Sequence, residues 1–238
     1  MSLALKLALG PLLLAQAVQT RRRLPRLPEA AGPRDGQAGR GKGGPSLLIV
    51  GDSSAAGVGV ETQDLALAGC LSVALAQRLQ LRITWQLCAR SGVTSSQALA
   101  LLCDARPADV AVVVTGVNDV IDQVRPRHAL AARARLVDAL RGRCGVRHVV
   151  MTPLPPMGCF AGLPQPLRWL AGRDAAAHER ALRGWAALQP NLSHLGFDFP
   201  LTDRALLARD GFHPGAPLYR LWGDVLAAHI AEAVWPRL

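Results

Sequence analysis

The chain has 238 residues, half of them hydrophobic but only 4% aromatic, with a formal net charge of +10. That length holds one good-sized domain, and the composition requires a core of Leu, Val and Ala, which suits alternating helices and parallel strands better than an aromatic-rich β-sandwich. The charge is uneven: residues 1–45 carry eight Lys/Arg against Glu29 and Asp35, the remainder nineteen against fifteen acids, so no basic, aromatic-interleaved face for nucleic acid is expected on the domain.

Residues 1–20 are largely apolar and are followed by Arg21-Arg22-Arg23. One reading is a secretory signal, with Lys6, a short apolar stretch and a cleavage-like Ala15-Gln16-Ala17, which would export the chain to the periplasm. Three arginines directly after that point oppose translocation. The reading preferred here is a helix associated with the cytoplasmic face of a membrane through residues 1–23, too interrupted by Lys6, Pro11 and Gln16 for a clean span. A helix packed on the domain itself is the plainer third possibility. Residues 21–45 are basic and rich in Pro and Gly, and read as a linker, with the domain expected over 46–238.

From Ser46 onward, short apolar runs alternate with longer helical ones. Candidate strands are Leu47–Val50, Arg82–Leu87, Asp109–Val114 and Arg147–Met151; candidate helices are Glu61–Gln80, Thr94–Cys103, Pro126–Gly142, Arg173–Gln189 and Pro214–Val234. Continuous apolar strands between helices imply a parallel sheet covered on both faces, a three-layer α/β/α domain with its functional loops at the carboxyl ends of the strands.

Four stations at that end carry complementary chemistry. The first strand runs into Gly51-Asp52-Ser53, where small neighbours (Ser54, Ala55, Ala56, Gly57) leave a hydroxyl approachable. Taken alone, the tripeptide is equally an ordinary polar turn. The second strand leads through Ala89-Arg90-Ser91 to Gly92, and the third through Thr115 to Gly116-Val117-Asn118-Asp119. Asp210-Gly211-Phe212-His213 precedes the last helix. Cleaving an ester through a serine needs a hydroxyl, a base, a group to orient the base, and donors for the oxyanion. Ser53, His213 and Asp210 meet the first three needs; the backbone N–H of Ser53, the backbone N–H of Gly92 and the amide of Asn118 meet the fourth.

These blocks, in this order and covering about 46–238, resemble those of the SGNH hydrolases, the GDSL esterase/lipase superfamily. One departure is Ser54, where the family name has leucine; it touches no catalytic role. The resemblance implies a flavodoxin-like fold and hydrolysis through an acyl-enzyme on Ser53, with no cofactor and no metal. Small acyl esters, lipid acyl esters, thioesters and O-acetyl groups of cell-envelope carbohydrate are all compatible substrates, as is transfer of the acyl group to another hydroxyl. From a different class, a membrane-anchored module that only binds would need none of Ser53, Asn118, Asp210 and His213.

Other polar residues read as structural. His128, His178 and His229 fall in helical stretches, His148 begins a strand and His194 lies in a polar loop. Asp52 and Asp119 are expected to cap helices or brace loops. The five cysteines have no metal or redox spacing and read as free thiols. The apolar, proline-rich segment 153–172 follows the fourth strand, and its Met157, Phe160, Leu163, Leu167 and Trp169 are candidates for lining an acyl pocket.

Overall fold

The computed structural model describes residues 9–23, 25–198 and 202–238; residues 1–8 of the expected N-terminal segment lie outside them. Six strands form one sheet: β1 (Asp35–Ala38), β2 (Ser46–Gly51), β3 (Ile83–Ala89), β4 (Val110–Val114), β5 (His148–Met151) and β6 (Leu192–His194), in the spatial order β1-β3-β2-β4-β5-β6. All neighbours are parallel except β1 and β3. The helices are α1 (Gly10–Arg23), α2 (Leu67–Leu79), the short α3 (Val117–Ile121), α4 (Pro126–Cys144), α5 (Leu167–Ala186) and α6 (Ala216–His229).

Strand alternation explains the three layers. In β2 and β4, Leu47, Ile49, Val110 and Val112 point to one side, where they meet Leu71 and Leu75 of α2 and Trp222 and Leu226 of α6. Leu48, Val50, Ala111 and Val113 point to the other, against Leu136 and Leu140 of α4 and Leu182 of α5. Both strands are buried on both faces, which is why they read as unbroken apolar runs. The register then sets the height of the functional loops. Gly51 of β2 pairs with Ala89 of β3 and Val114 of β4, so three strands end on one level.

Several elements differ from the sequence reading. Glu61–Gln80 divides into a short turn at Gln63–Leu65 and α2. Thr94–Cys103 yields only a tight turn of helix at Ala98–Leu102, because side chains capture its first backbone N–H groups: the Thr94 N–H donates to Gln97 Oε1 and the Ser95 N–H to Asp119. The fifth helix begins earlier than Arg173, at Leu167. His194 lies in β6, not in a loop.

The stretch expected to be a linker packs on the domain. Its Asp35–Ala38 forms the antiparallel edge strand β1, Ala30 is buried, and Ala31 bridges to Thr62. Arg34 accepts the Leu87 N–H through its carbonyl and donates from its guanidinium to the Ala89 carbonyl and to Glu29. No apolar run announces this, since the pairing is made by backbone groups. Helix α1 touches the domain through Gln16, whose amide donates to the Gln165 carbonyl and accepts the Leu167 N–H. Among the described residues no helix is long and apolar enough to cross a membrane.

A chain beginning at Ser46 should therefore fold less stably than the full chain. A loss of at least about 2 kcal/mol, seen as a melting point lower by roughly 4–8 °C, is expected from the lost ladder and side-chain bonds; equal melting points would show that residues 25–45 contribute nothing.

Candidate active site

Ser53 follows β2 in a tight turn. The Asp52 N–H donates to the Val114 carbonyl at 3.0 Å, the Ala56 N–H to the Asp52 carbonyl at 2.9 Å and the Val58 N–H to the Ser53 carbonyl at 3.0 Å. From the other side, the buried Tyr219 hydroxyl of α6 donates to the Val58 carbonyl at 2.8 Å. The turn is thus pinned to β4 and to α6, and the Ser53 side chain is held at a half-buried position.

His213 Nε2 lies 2.9 Å from Ser53 Oγ, and its Nδ1 lies 2.6 Å from Asp210 Oδ2. An imidazole protonated at Nδ1 donates to the carboxylate and presents a lone pair to the hydroxyl. Asp210 Oδ1 also accepts the backbone N–H groups of Phe212 and His213, each at 3.0 Å. Burial opposes its ionisation, but the His213 side chain and these two N–H donors outweigh burial and hold its carboxyl below the usual range. Asp210 therefore stays an anion facing the imidazole.

The three expected oxyanion donors come to the same edge. Among the described residues, the N–H groups of Ser53 and Gly92 have no protein acceptor. Gly92 has φ +82°, a left-handed conformation that favours glycine, with open space where a Cβ would stand. Asn118 gives one of its two amide N–H groups to the Val93 carbonyl at 3.0 Å.

Beneath these loops lies a polar network. Arg133 of α4 and Asp119 of α3 are each 1% exposed. The guanidinium donates to the Thr115 carbonyl at 3.1 Å and to Thr115 Oγ1 at 3.3 Å, and pairs with Asp119 at 3.4 Å. Asp119 also accepts the Ser95 N–H at 3.1 Å and the Ser95 hydroxyl. The loop of Gly92 and the loop of Asn118 are thereby fastened to one cation. Gly116, at φ +136°, leaves room for it: a Cβ there would stand 2.4 Å from Arg133 Nη2. Burial draws the Arg133 pKa down, against Asp119, Glu179 and Asp52, which hold its proton. The loop of Gly92 is held from outside as well, by Glu29, whose carboxylate accepts the Ser91 N–H at 2.7 Å.

Asp52 is 2% exposed and accepts the Ser54 N–H at 3.0 Å. Burial pushes its pKa up to about 6, more than that N–H and His213 can offset. Asp119 and Asp52 thus do brace loops, as expected. The other five histidines have local partners: His178 with the Val124 carbonyl, His194 with Glu179, His148 and His229 with the Ser193 hydroxyl between them, and His128 with Arg127.

Beside Ser53 a cavity of about 40 Å³ is lined by Asp52, Ser54, Val117, Phe160, Phe212 and Trp222, among others. Of the five residues proposed from the sequence, Phe160 lines it. Trp169 lines an adjoining open cleft. Met157 is buried in the core and Leu163 packs against it, while Leu167 opens α5. Thr152, Leu218 and Trp222 also line it; in the sequence each reads as ordinary core.

An α/β sheet that presents a hydrogen-bonded Ser–His–Asp chain and free N–H donors at one edge is the architecture of a serine hydrolase. Residues 49–221 match the model of the GDSL-like lipase/acylhydrolase family. A GDSL-like esterase of Mycobacterium tuberculosis is 30% identical over 95% of this chain and 78% of its own length. Two solved structures share the fold: a lipase from a goat rumen metagenome (TM-score 0.62, 18% identity, 79% of this chain and 97% of that one) and TesA (TM-score 0.61, 23% identity, 81% and 99%). The chain belongs to the GDSL-like lipase/acylhydrolase family, and it is a carboxylic ester hydrolase.

Two stability measurements test this site. Arg133→Met should cost about 3–5 kcal/mol in urea denaturation, because it strands the Asp119 carboxylate without its cation; a loss under about 1 kcal/mol would remove the network from the account. Asp52→Asn should stabilise the protein at pH 7–8 by up to about 3 kcal/mol. The sign follows from an acid whose folded pKa is raised: wild-type stability falls as pH rises from about 4 to about 6, so the gain should shrink on acidification through that window. A gain independent of pH would refute the assignment to Asp52 ionisation.

Proposed function

We propose that Ser53 is the nucleophile, His213 its general base, and Asp210 the group that orients and charge-balances the imidazole. The observation that carries this reading is the continuous chain Ser53 Oγ···His213 Nε2, His213 Nδ1···Asp210 Oδ2, at 2.9 and 2.6 Å. In this reading His213 takes the Ser53 proton as Oγ attacks the ester carbonyl. The developing oxyanion accepts hydrogen bonds from the N–H groups of Ser53 and Gly92 and from the Asn118 amide. Collapse expels the alcohol, which receives the proton from His213. Water, deprotonated by the same imidazole, then releases the acid and restores Ser53. A thioester fits the same steps.

Contact with a membrane surface is a further part of the proposal. In α1, Leu12, Leu14 and Val18 are exposed, and the helix ends in Arg22 and Arg23, also exposed. Leu14 and Val18, four residues apart, share one side of the helix, and apolar side chains followed by cations suit the interface of an anionic bilayer.

Ser53→Ala and His213→Ala should each lower kcat/KM on p-nitrophenyl esters by at least about a thousand-fold, and Asn118→Ala by about a hundred-fold, with thermal unfolding midpoints near wild type for Ser53→Ala. Retained turnover in Ser53→Ala would remove it as nucleophile. For the membrane contact, the full chain should co-sediment with phosphatidylserine-containing vesicles in a salt-sensitive way, and a chain with Leu12, Leu14 and Val18 changed to Ser should not; equal sedimentation of the two would end that proposal.

A further inference from the structure

We infer that Glu29 and Arg34, upstream of β2, are positioning residues for the reaction: together they orient the Gly92 N–H for the oxyanion. The inference rests on the assignment of Ser53 as nucleophile and Gly92 as oxyanion donor, and it names what sets that donor's direction.

The Gly92 donor lacks the supports of an ordinary backbone group. Arg90, Ser91 and Gly92 are all exposed, so packing does not confine them. Gly92 has φ +82° and nothing within 4 Å of where a Cβ would stand, so its own sterics leave its dihedral angles free. The peptide plane that carries its N–H also bears the Ser91 carbonyl, and neither group has a backbone partner among the described residues. That plane takes its direction from the planes on either side.

The planes before it are held from the N-terminal segment. In the plane joining Ala89 to Arg90, the N–H donates to the Gly51 carbonyl at 3.1 Å and the carbonyl accepts from the Arg34 guanidinium. In the next plane, the Ser91 N–H donates to Glu29 Oε1 at 2.7 Å. The bond that would close the turn, from the Val93 N–H to the Arg90 carbonyl, is stretched to 3.5 Å. Beyond the donor, the Asn118 amide holds the Val93 carbonyl at 3.0 Å. Glu29 therefore supplies the short bond on the plane directly before the donor.

Arg34 fixes Glu29 in turn. Its guanidinium pairs with Glu29 Oε2 while also reaching the Ala89 carbonyl, which leaves Oε1 for Ser91. Burial opposes ionisation of this carboxyl, but the Ser91 N–H and Arg34 outweigh burial and hold its pKa below the usual range. Glu29 is thus an anion, and an anion is the stronger acceptor. The adjoining backbone is tied to the serine turn as well. The Ala30 N–H donates to the Ala56 carbonyl at 3.2 Å, and the Gln63 amide donates to the Ala30 and Ala56 carbonyls at 3.1 Å each. One short segment spans from the turn of Ser53 to the loop of Gly92.

The test compares the full chain with Glu29→Ala, Glu29→Gln and Arg34→Met on p-nitrophenyl butyrate and its thiono (C=S) analogue. Sulfur accepts hydrogen bonds weakly, so aligned oxyanion donors favour the ester. Glu29→Ala should lower kcat on the ester by about 10- to 100-fold with KM little changed. Its preference for the ester over the thiono analogue should shrink by a similar factor, which the loss of a merely stabilising contact would not cause. Glu29→Gln, which keeps an acceptor oxygen for Ser91, should recover kcat to within about five-fold of wild type. Arg34→Met should move both readouts in the same direction as Glu29→Ala, and it serves if Glu29→Ala does not fold. Unchanged kcat and preference in the folded variants, or no recovery in Glu29→Gln, overturns the inference and leaves Ser53 and Gly92 in their roles. A wild type with no preference for the ester removes Gly92 as donor, and one that diisopropyl fluorophosphate does not label removes Ser53 as nucleophile; either takes the inference with it.

Discussion

The active edge depends on one buried cation. Arg133 is withdrawn from water, and its guanidinium holds Thr115, the first residue after β4, and Asp119, in the short helix α3 that follows it. Asp119 in turn holds Ser95, three residues beyond Gly92. A buried pair of this kind is a poor source of stability by itself, because desolvation consumes most of the attraction. What it supplies is geometry. Each partner left alone would be strongly unfavourable, so the two loops can relax only together. The Gly92 and Asn118 loops, which follow different strands, are thereby kept in one arrangement.

The sheet sets the coarse positions and the loops the fine ones. Because β2, β3 and β4 end in register at Gly51, Ala89 and Val114, the chain needs only two to four further residues to bring Ser53, Gly92 and Asn118 to the same edge. The loop that leads into the last helix adds the imidazole, and the helix itself clamps the serine turn through Tyr219. Ser53 and His213 are 160 residues apart in sequence, yet the turn of the first is clamped by α6 and the loop of the second leads into it. Asp52 illustrates the opposing tendency. Its carboxyl is buried beside the serine at a cost to the fold, the kind of expense that accumulates where function competes with stability.

The blocks that bring Ser53, His213 and Asp210 into one hydrogen-bonded chain were legible because each is short and local, one at the end of an apolar strand and one just before the last helix. The core strands were legible for the same reason, their side chains being apolar on both faces. Elements made by backbone pairing were not. Asp35–Ala38 contains one apolar residue, and Leu192–His194 is too short for any period to register. The pocket was only partly legible, since Phe160 points into it while Met157, in the same segment, turns into the core. Arg133 offered a signal that went unread. With Ala129, Ala132, Leu136, Val137 and Leu140 it shares the buried face of α4, and an arginine on the apolar stripe of a helix calls for a partner.

The edge strand β1 also governs what the molecule does to its neighbours. Without it, β3 would present the bare backbone of Ile83–Ala89, a run that includes Trp85 and Leu87, to any other chain in solution. Such an edge is a template for further strands. The residues that occupy it instead are Asp35, Gly36, Gln37 and Ala38, short, antiparallel and largely polar, followed by Arg40 and Lys42. A segment with almost no hydrophobic content thus covers the apolar strand that would otherwise form this edge of the sheet.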